Sequence, residues 1–128
     1  TQQKVTGEQL ETAMQLPILA NSAQARTAFE YLMGAYLLKK DMASFQYLID
    51  RYWGTPLLPD LPVAYQEALI VAHEKNPEGL DKYALNKDVL SRYADFRKQV
   101  LANRNNRGLA GLLYRSFGDT YWYYVVFK

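Results

Sequence analysis

The chain has 128 residues, of which 49% are hydrophobic and 14% aromatic, which is enough apolar surface for one ordinary domain with its own core. The absence of cysteine excludes thiolate catalysis, thiolate zinc sites and disulfides. A formal net charge of +2, from 15 basic and 13 acidic residues, is too balanced to predict a partner among nucleic acids or anionic lipids. No stretch resembles a membrane span, so the sequence predicts a soluble domain.

The first predicted helix opens at Thr6, because Thr6 and Gln9 have the spacing of a capping box. Pro17 limits this helix, since a residue that precedes proline avoids helical backbone. Asn21 or Ser22 is then expected to cap a longer helix that ends near residue 40.

Residues 25–53 are the most informative stretch, because they predict two amphipathic helices joined by almost no loop. Apolar residues recur at the spacing of one helical face on both sides of Asp41, which is expected to cap the second helix. A connection this short forces antiparallel packing and so predicts a helical hairpin. The apolar positions are Ala25, Ala28, Phe29, Leu32, Met33, Tyr36 and Leu37, then Met42, Phe45, Leu48, Ile49, Tyr52 and Trp53.

Residues 54–62 contain three prolines and predict a linker. Asp60 is expected to cap a third helix, which ends at Asn76. Asn86 is expected to cap a fourth helix, which the RNNRG turn ends. Four apolar residues from these segments and the hairpin are predicted to face a common core: Phe29, Leu32, Leu48 and Leu69.

The last segment combines two patterns. GLAGLLYRSF predicts a helix, whereas TYWYYVVF has the aromatic and β-branched composition of a strand. A helix is favoured, with Gly118 and Asp119 as a kink or a new cap, because a lone strand would have no partner for its backbone hydrogen bonds. The tail is expected to pack on the fourth helix through Trp122 or its neighbours, with at least one ring partly exposed.

These elements predict an all-α fold of antiparallel helical hairpins, arranged as a right-handed superhelix or a small bundle. The sequence shows no long linker of low complexity and no exact repeat. We therefore expect a single helical domain over residues 1–128, as the soluble part of a longer protein.

The hairpin and the proline after it resemble a degenerate tetratricopeptide-type repeat of about thirty-four residues. Gly34 and Tyr36 lie out of register with the consensus. When Leu32 is placed on the conserved small or apolar position of the first helix, other positions agree: Ala35, Ser44, Leu48 and Pro56. The resemblance implies a superhelical scaffold.

A second resemblance rests on FEYLMGAYLLKKD near the start, LPVAYQEALIV in the middle and FGDTYWYYVVF at the end. These segments resemble the C-terminal region of an uncharacterised Bacteroidetes family of membrane proteins with a soluble tetratricopeptide-like tail. The resemblance implies an upstream membrane anchor and a location in the cell envelope, and it brings no activity or catalytic residue. A cytoplasmic location stays open as an alternative.

The candidate catalytic groups have ordinary explanations. His73 is the only histidine and lacks a second ligand at metal-binding spacing, so we expect either a plain surface residue or one stabilised by its helix dipole. The pairs Glu8 with Glu11 and Asp88 with Asp95 fit solvated helix faces. No serine lies in a GxSxG or SxxK motif. The sequence therefore predicts no catalytic residue, no metal and no cofactor.

The eleven tyrosines are a stronger signal, because an aromatic ring with a polar tip is favoured at recognition surfaces. Most are expected to pack in the core. The candidates for a binding groove lie off the core stripe or in the crowded tail: Tyr31, Tyr47, Tyr121, Trp122 and Tyr124.

The sequence favours a non-catalytic module that binds a protein or peptide through a tyrosine-lined concave face. The alternative is a helical domain that binds a small molecule or a glycan, since aromatic clefts also stack on sugar rings and apolar ligands. An enzyme is the third hypothesis, and it would require His73, a carboxylate pair or an arginine cluster to converge in a pocket. We expect no nucleic-acid partner, and the oligomeric state is left open.

Overall fold

The structure is a computed structural model that describes residues 23–128. Within this range the chain is helical and contains no named β-strand, which confirms the predicted all-α class for these residues. The elements are α1 (Ala23–Lys39), α2 (Met42–Tyr52), α3 (Val63–Ala72), a 3₁₀ helix (Pro77–Tyr83), α4 (Lys87–Ala102), α5 (Leu109–Phe117) and α6 (Tyr121–Phe127). The predicted helix at Thr6 and the predicted caps Asn21 and Ser22 lie outside the described residues.

The chain divides into two compact units between Leu61 and Pro62. The first unit contains α1 and α2, and the second contains α3 to α6 with the 3₁₀ helix. The boundary falls at the end of the proline-rich segment predicted as a linker, where the chain cannot continue a helix. The organisation of residues 1–128 as a single domain stays a prediction.

The α1–α2 hairpin depends on Asp41. Its backbone N–H donates to the Tyr36 carbonyl at 2.9 Å, and its carboxylate accepts hydrogen bonds from the Ser44 backbone N–H (3.2 Å) and the Ser44 hydroxyl (2.7 Å). Asp41 thus satisfies backbone groups at the end of α1 and at the start of α2, which leaves only Lys40 and Asp41 between the helices.

The facing sides of α1 and α2 form the core of the first unit. Phe29 packs edge-on against Tyr52, with ring centroids 6.0 Å apart. The buried side chains follow the apolar stripe of the sequence: Ala25, Phe29, Leu32, Met33, Phe45, Leu48, Ile49 and Tyr52. All four predicted core residues are buried. Phe29, Leu32 and Leu48 belong to the first unit, and Leu69 belongs to the second.

The sequence predicts that Asp60 caps α3, and this prediction is wrong. The residue before the helix is Pro62, which has φ −57° and makes no side-chain capping hydrogen bond. Leu61 precedes proline and therefore avoids helical backbone, so the helix cannot begin as early as Asp60 would require. The predicted end at Asn76 is also wrong, because α3 ends at Ala72 and Asn76 instead precedes the 3₁₀ helix.

The other caps of the second unit come from short polar side chains. Asn86 accepts the backbone N–H of Asp88 at 2.8 Å, as predicted for the start of α4. The tail forms helix α6, and its cap is Thr120, whose hydroxyl accepts the Tyr123 N–H at 3.2 Å. The sequence predicts a kink or a new cap at Gly118 and Asp119. The helix is interrupted there, between α5 and α6, but the cap is one or two residues later than predicted.

The core of the second unit forms where α4, α5 and α6 meet α3. Phe96 packs edge-on against Phe117 at 5.2 Å and lies 6.3 Å from Trp122. Trp122 also packs against Tyr93 at 5.2 Å, so the tail docks on α4 as expected. The buried cluster is Ile70, Val89, Phe96, Leu113, Phe117, Trp122 and Tyr123.

Truncation of Leu48 to Ala should lower the free energy of unfolding by about 2 to 5 kcal/mol, because its buried side chain would leave a cavity between α1 and α2. Leu38 is 69% exposed on the same hairpin, so Leu38→Ala is a matched control that should cost less than about 0.5 kcal/mol. Urea unfolding followed by circular dichroism measures both. Equal losses in the two variants would contradict the burial of the stripe.

Candidate binding groove

A half-open groove with a volume of about 150 Å³ lies between α3, α4 and α6 in the second unit. Tyr93, Phe96 and Val100 reach it from one face of α4, because they follow each other at spacings of three and four residues. Trp122 and Val125, which are three positions apart, reach the groove from one face of α6. The apolar lining consists of Val71, Phe96, Val100, Leu101, Trp122, Val125 and Val126.

The polar lining is a small network around Glu74. Its Oε1 accepts hydrogen bonds from Arg97 Nη1 at 3.2 Å and from the Tyr93 hydroxyl at 3.4 Å. The side chains of Arg97 and Glu74 are 48% and 54% exposed, so this is a solvated ion pair that contributes about 1 kcal/mol at most. Burial raises the pKa of Tyr93, so its hydroxyl stays protonated and remains a donor at neutral pH.

Trp122 is the most deeply buried residue of the groove lining. Only 1% of its surface is exposed, and its indole Nε1–H has no hydrogen-bond partner among the described residues. A buried donor without an acceptor costs roughly 1 to 3 kcal/mol. The indole ring itself packs on Tyr93 and Phe96, so the contacts described for it are with aromatic rings.

Glu67 of α3 fixes the start of α6 behind the groove. It is 5% exposed, and its Oε1 accepts the Tyr121 backbone N–H at 3.0 Å. Burial raises the pKa of Glu67, while the hydrogen bond from Tyr121 and the nearby charge of Arg92 act in the opposite direction. Sequence reasoning missed this residue, although the apolar Ile70 and Val71 three and four positions later indicate a buried setting.

Arg92 joins α4 to the turn before α6. Its guanidinium donates to the Asp119 carboxylate at 2.7 Å and to the Ser116 carbonyl, and it lies over the Phe117 ring at 5.9 Å. The hydrogen bond from Arg92 lowers the pKa of Asp119. Asp119 is highly exposed, so the pair positions the turn more than it adds stability.

The sequence predicts that His73 lies on the surface or is stabilised by its helix dipole, and the first alternative is wrong. His73 is 7% exposed, its Nδ1 lies 2.8 Å from the Leu69 carbonyl, and its ring packs against Tyr83 at 5.7 Å. The 3₁₀ helix covers it, and Gly79 leaves the room, because a Cβ there would lie 2.7 Å from the His73 ring. His73 does not line the groove, and no group of acidic or histidine side chains among residues 23–128 is arranged as a metal site.

The structure brings one of the five predicted binding residues into the groove, namely Trp122. Tyr121 and Tyr124 are half-buried on α6 and stack on each other at 5.8 Å, and burial raises the pKa of Tyr121 to about 12. Tyr31 and Tyr47 are about half exposed and belong to the first unit. Sequence reasoning did not single out Tyr93, Glu74 and Arg97, because only the packing of α3 on α4 brings them together. The binding roles of all five residues stay predictions.

The fold and the groove define an all-helical protein, over the described range, with a half-open apolar groove edged by one ion pair. The chain belongs to a family of unknown function, DUF6057, whose model matches residues 2–128. No curated protein and no solved structure matches it. Between residues 23 and 128, no helix is long and apolar enough to cross a membrane.

Replacement of Glu67 by Gln should leave the protein at least as stable as the wild type at pH 7. The amide oxygen can still accept the Tyr121 N–H, and the cost of burying a charge is removed. Because the folded-state pKa of Glu67 is raised above 4.5, the folded protein binds more protons above that pH. The contribution of Glu67 to stability therefore falls as pH rises from 4.5 through the raised pKa.

Melting temperatures measured from pH 4 to pH 8 test this expectation. The advantage of Glu67→Gln over the wild type should shrink toward acid pH. Asp95→Asn removes an exposed carboxylate from the same unit and should show no such trend. A Glu67→Gln variant that is less stable than the wild type at pH 7 by more than about 1 kcal/mol would show that the charge itself holds α6 in place.

Proposed function

We propose that the chain is a non-catalytic module that binds a protein or peptide through the groove between α3, α4 and α6. The observation that carries the proposal is the size and lining of this groove, about 150 Å³ and mostly apolar. An apolar cavity of about this volume accommodates a benzene-sized molecule, which corresponds to one large side chain. Sites for drug-sized ligands measure roughly 300 to 1,000 Å³, so the volume favours a peptide anchor over a small molecule or glycan.

The edge of the groove supports the same function. Leu101 and Val126 line it and are 60% and 54% exposed, so a partner that covers them would remove apolar surface from water. Tyr93 and Arg97 stand beside them, and tyrosine and arginine are enriched among residues that dominate binding energies.

The polar groups of the groove favour binding over catalysis. Glu74 is the only carboxylate among its lining residues, and it is solvated and paired with Arg97. A general acid and base need two titratable groups whose environments separate their pKa values. His73, the sequence candidate for such a role, packs against Tyr83 outside the groove lining.

A selection from a random peptide library tests this function. Peptides that bind the wild-type chain should share one large apolar side chain. Leu101→Asp and Val126→Asp place a charge at the groove edge and should weaken their binding by about tenfold or more, because the charge must be desolvated. Fluorescence anisotropy measures the affinities.

Leu112→Asp is the matched control for these variants. Leu112 is 52% exposed on α5 and does not line the groove, so its replacement should leave peptide affinity within about twofold. Selection of no peptide, or equal losses in the control and the groove variants, would refute binding in the groove.

We further propose that the α1–α2 hairpin is a tetratricopeptide-like unit and that the chain is the extramembrane part of an anchored envelope protein. The short connection at Asp41 supports the first part, and the segment resemblances support the second. Fractionation of cells that produce the natural protein tests the location. Recovery in the membrane fraction after a salt wash is expected, and recovery in the cytoplasmic fraction alone would contradict it.

A further inference from the structure

The groove lies where α4 becomes basic. Residues 96–118 carry no acidic residue and five basic ones: Arg97, Lys98, Arg104, Arg107 and Arg115. Arg97 lines the groove directly. Arg104 lies in the turn just beyond the end of α4, three positions after the groove-lining Leu101.

Most of this positive charge is not neutralised within the described part of the chain. Lys98, Arg104 and Arg107 are exposed and form no ion pair with residues 23–128. Arg97 does pair with Glu74, through Nη1. A guanidinium has five N–H donors, so Arg97 can bind a second carboxylate while it stays bonded to Glu74.

We propose that the occupant of the groove is an acidic protein segment with one large apolar side chain. The apolar side chain enters the groove, and the neighbouring carboxylates meet Arg97, Arg104 and the basic turn after α4. Electrostatic complementarity of this kind accelerates encounter and selects among partners, while the buried side chain supplies the anchor. This inference rests on the proposed function and specifies the chemistry of the partner.

A nucleic acid fits these observations less well. Its phosphates would be attracted to the same basic residues, but the groove that they border is apolar and has the volume of one side chain. Phosphate contacts alone would leave Leu101 and Val126 exposed. The basic residues and the groove are used together only by a chain that carries both carboxylates and an apolar group.

Three labelled peptides and one oligonucleotide test the proposal by fluorescence anisotropy. The first peptide has a central Phe with Glu and Asp on both sides, the second replaces these acids by Gln and Asn, and the third replaces Phe by Ala. The oligonucleotide is a single strand of the same net charge as the first peptide. The first peptide should bind about tenfold more tightly than each of the others, because only it satisfies both features.

Salt and charge reversal locate the interaction. Raising NaCl from about 50 to about 300 mM should weaken the first peptide about tenfold or more and the neutral peptide little, because salt screens exposed charges. Arg104→Glu should reduce its affinity by about tenfold. Lys87→Glu makes the same charge change at the other end of α4 and should change the affinity less than about twofold.

Three other results would each contradict a different part of the inference. Equal binding of the neutral Phe peptide would remove the acidic requirement and leave the proposed function standing. Equal binding of the Ala peptide or the oligonucleotide would show attraction of any polyanion without use of the groove. Failure of all peptides refutes the acidic motif, and the library selection then decides separately whether the groove binds any peptide.

Discussion

The packing of Trp122 on Tyr93 and Phe96 is the contact on which the second unit depends. It fixes the short helix α6 to α4, and a helix of seven residues has too few turns to be stable alone in water. The same contact closes the aromatic core around Phe96 and Phe117. The indole N–H has no hydrogen-bond partner among residues 23–128, so within the described part of the chain this contact rests on ring packing.

Three polar interactions position the start of α6. Thr120 caps the helix from its own chain, Glu67 accepts the first helical N–H from α3, and Arg92 holds the preceding turn through Asp119. The two carboxylates among these residues have pKa values shifted in opposite directions. The buried carboxylate of Glu67 has a raised pKa because it is desolvated, whereas the exposed carboxylate of Asp119 has a lowered pKa because Arg92 bonds to it.

The groove is a consequence of this arrangement. α6 contributes Trp122, Val125 and Val126 to it, and Leu101 of α4 stays exposed at the edge. A protein that only needed a closed core would gain by covering this surface. The ion pair beside it and the basic end of α4 give the surface a polarity that a partner can recognise. In a family of unknown function, this groove is where the geometry supports binding.

The sequence by itself determined the helical class of the described residues, the hairpin at Asp41 and the cap at Asn86. Each follows from local spacing or from one side chain and the nearest backbone, which a sequence shows directly. The predicted start of α3 was wrong. Pro62 restricts the backbone of Leu61 to extended conformations, and this restriction outweighed the capping preference of Asp60. Only the tertiary structure decided the burial of His73 and Glu67 and the meeting of Glu74, Tyr93 and Arg97. Those depend on which elements pack together. His73 meets Gly79 and Tyr83, 6 and 10 positions later, and the hydrogen bonds of Glu74 and Glu67 join residues 19 to 54 positions apart, which become neighbours only when their elements meet.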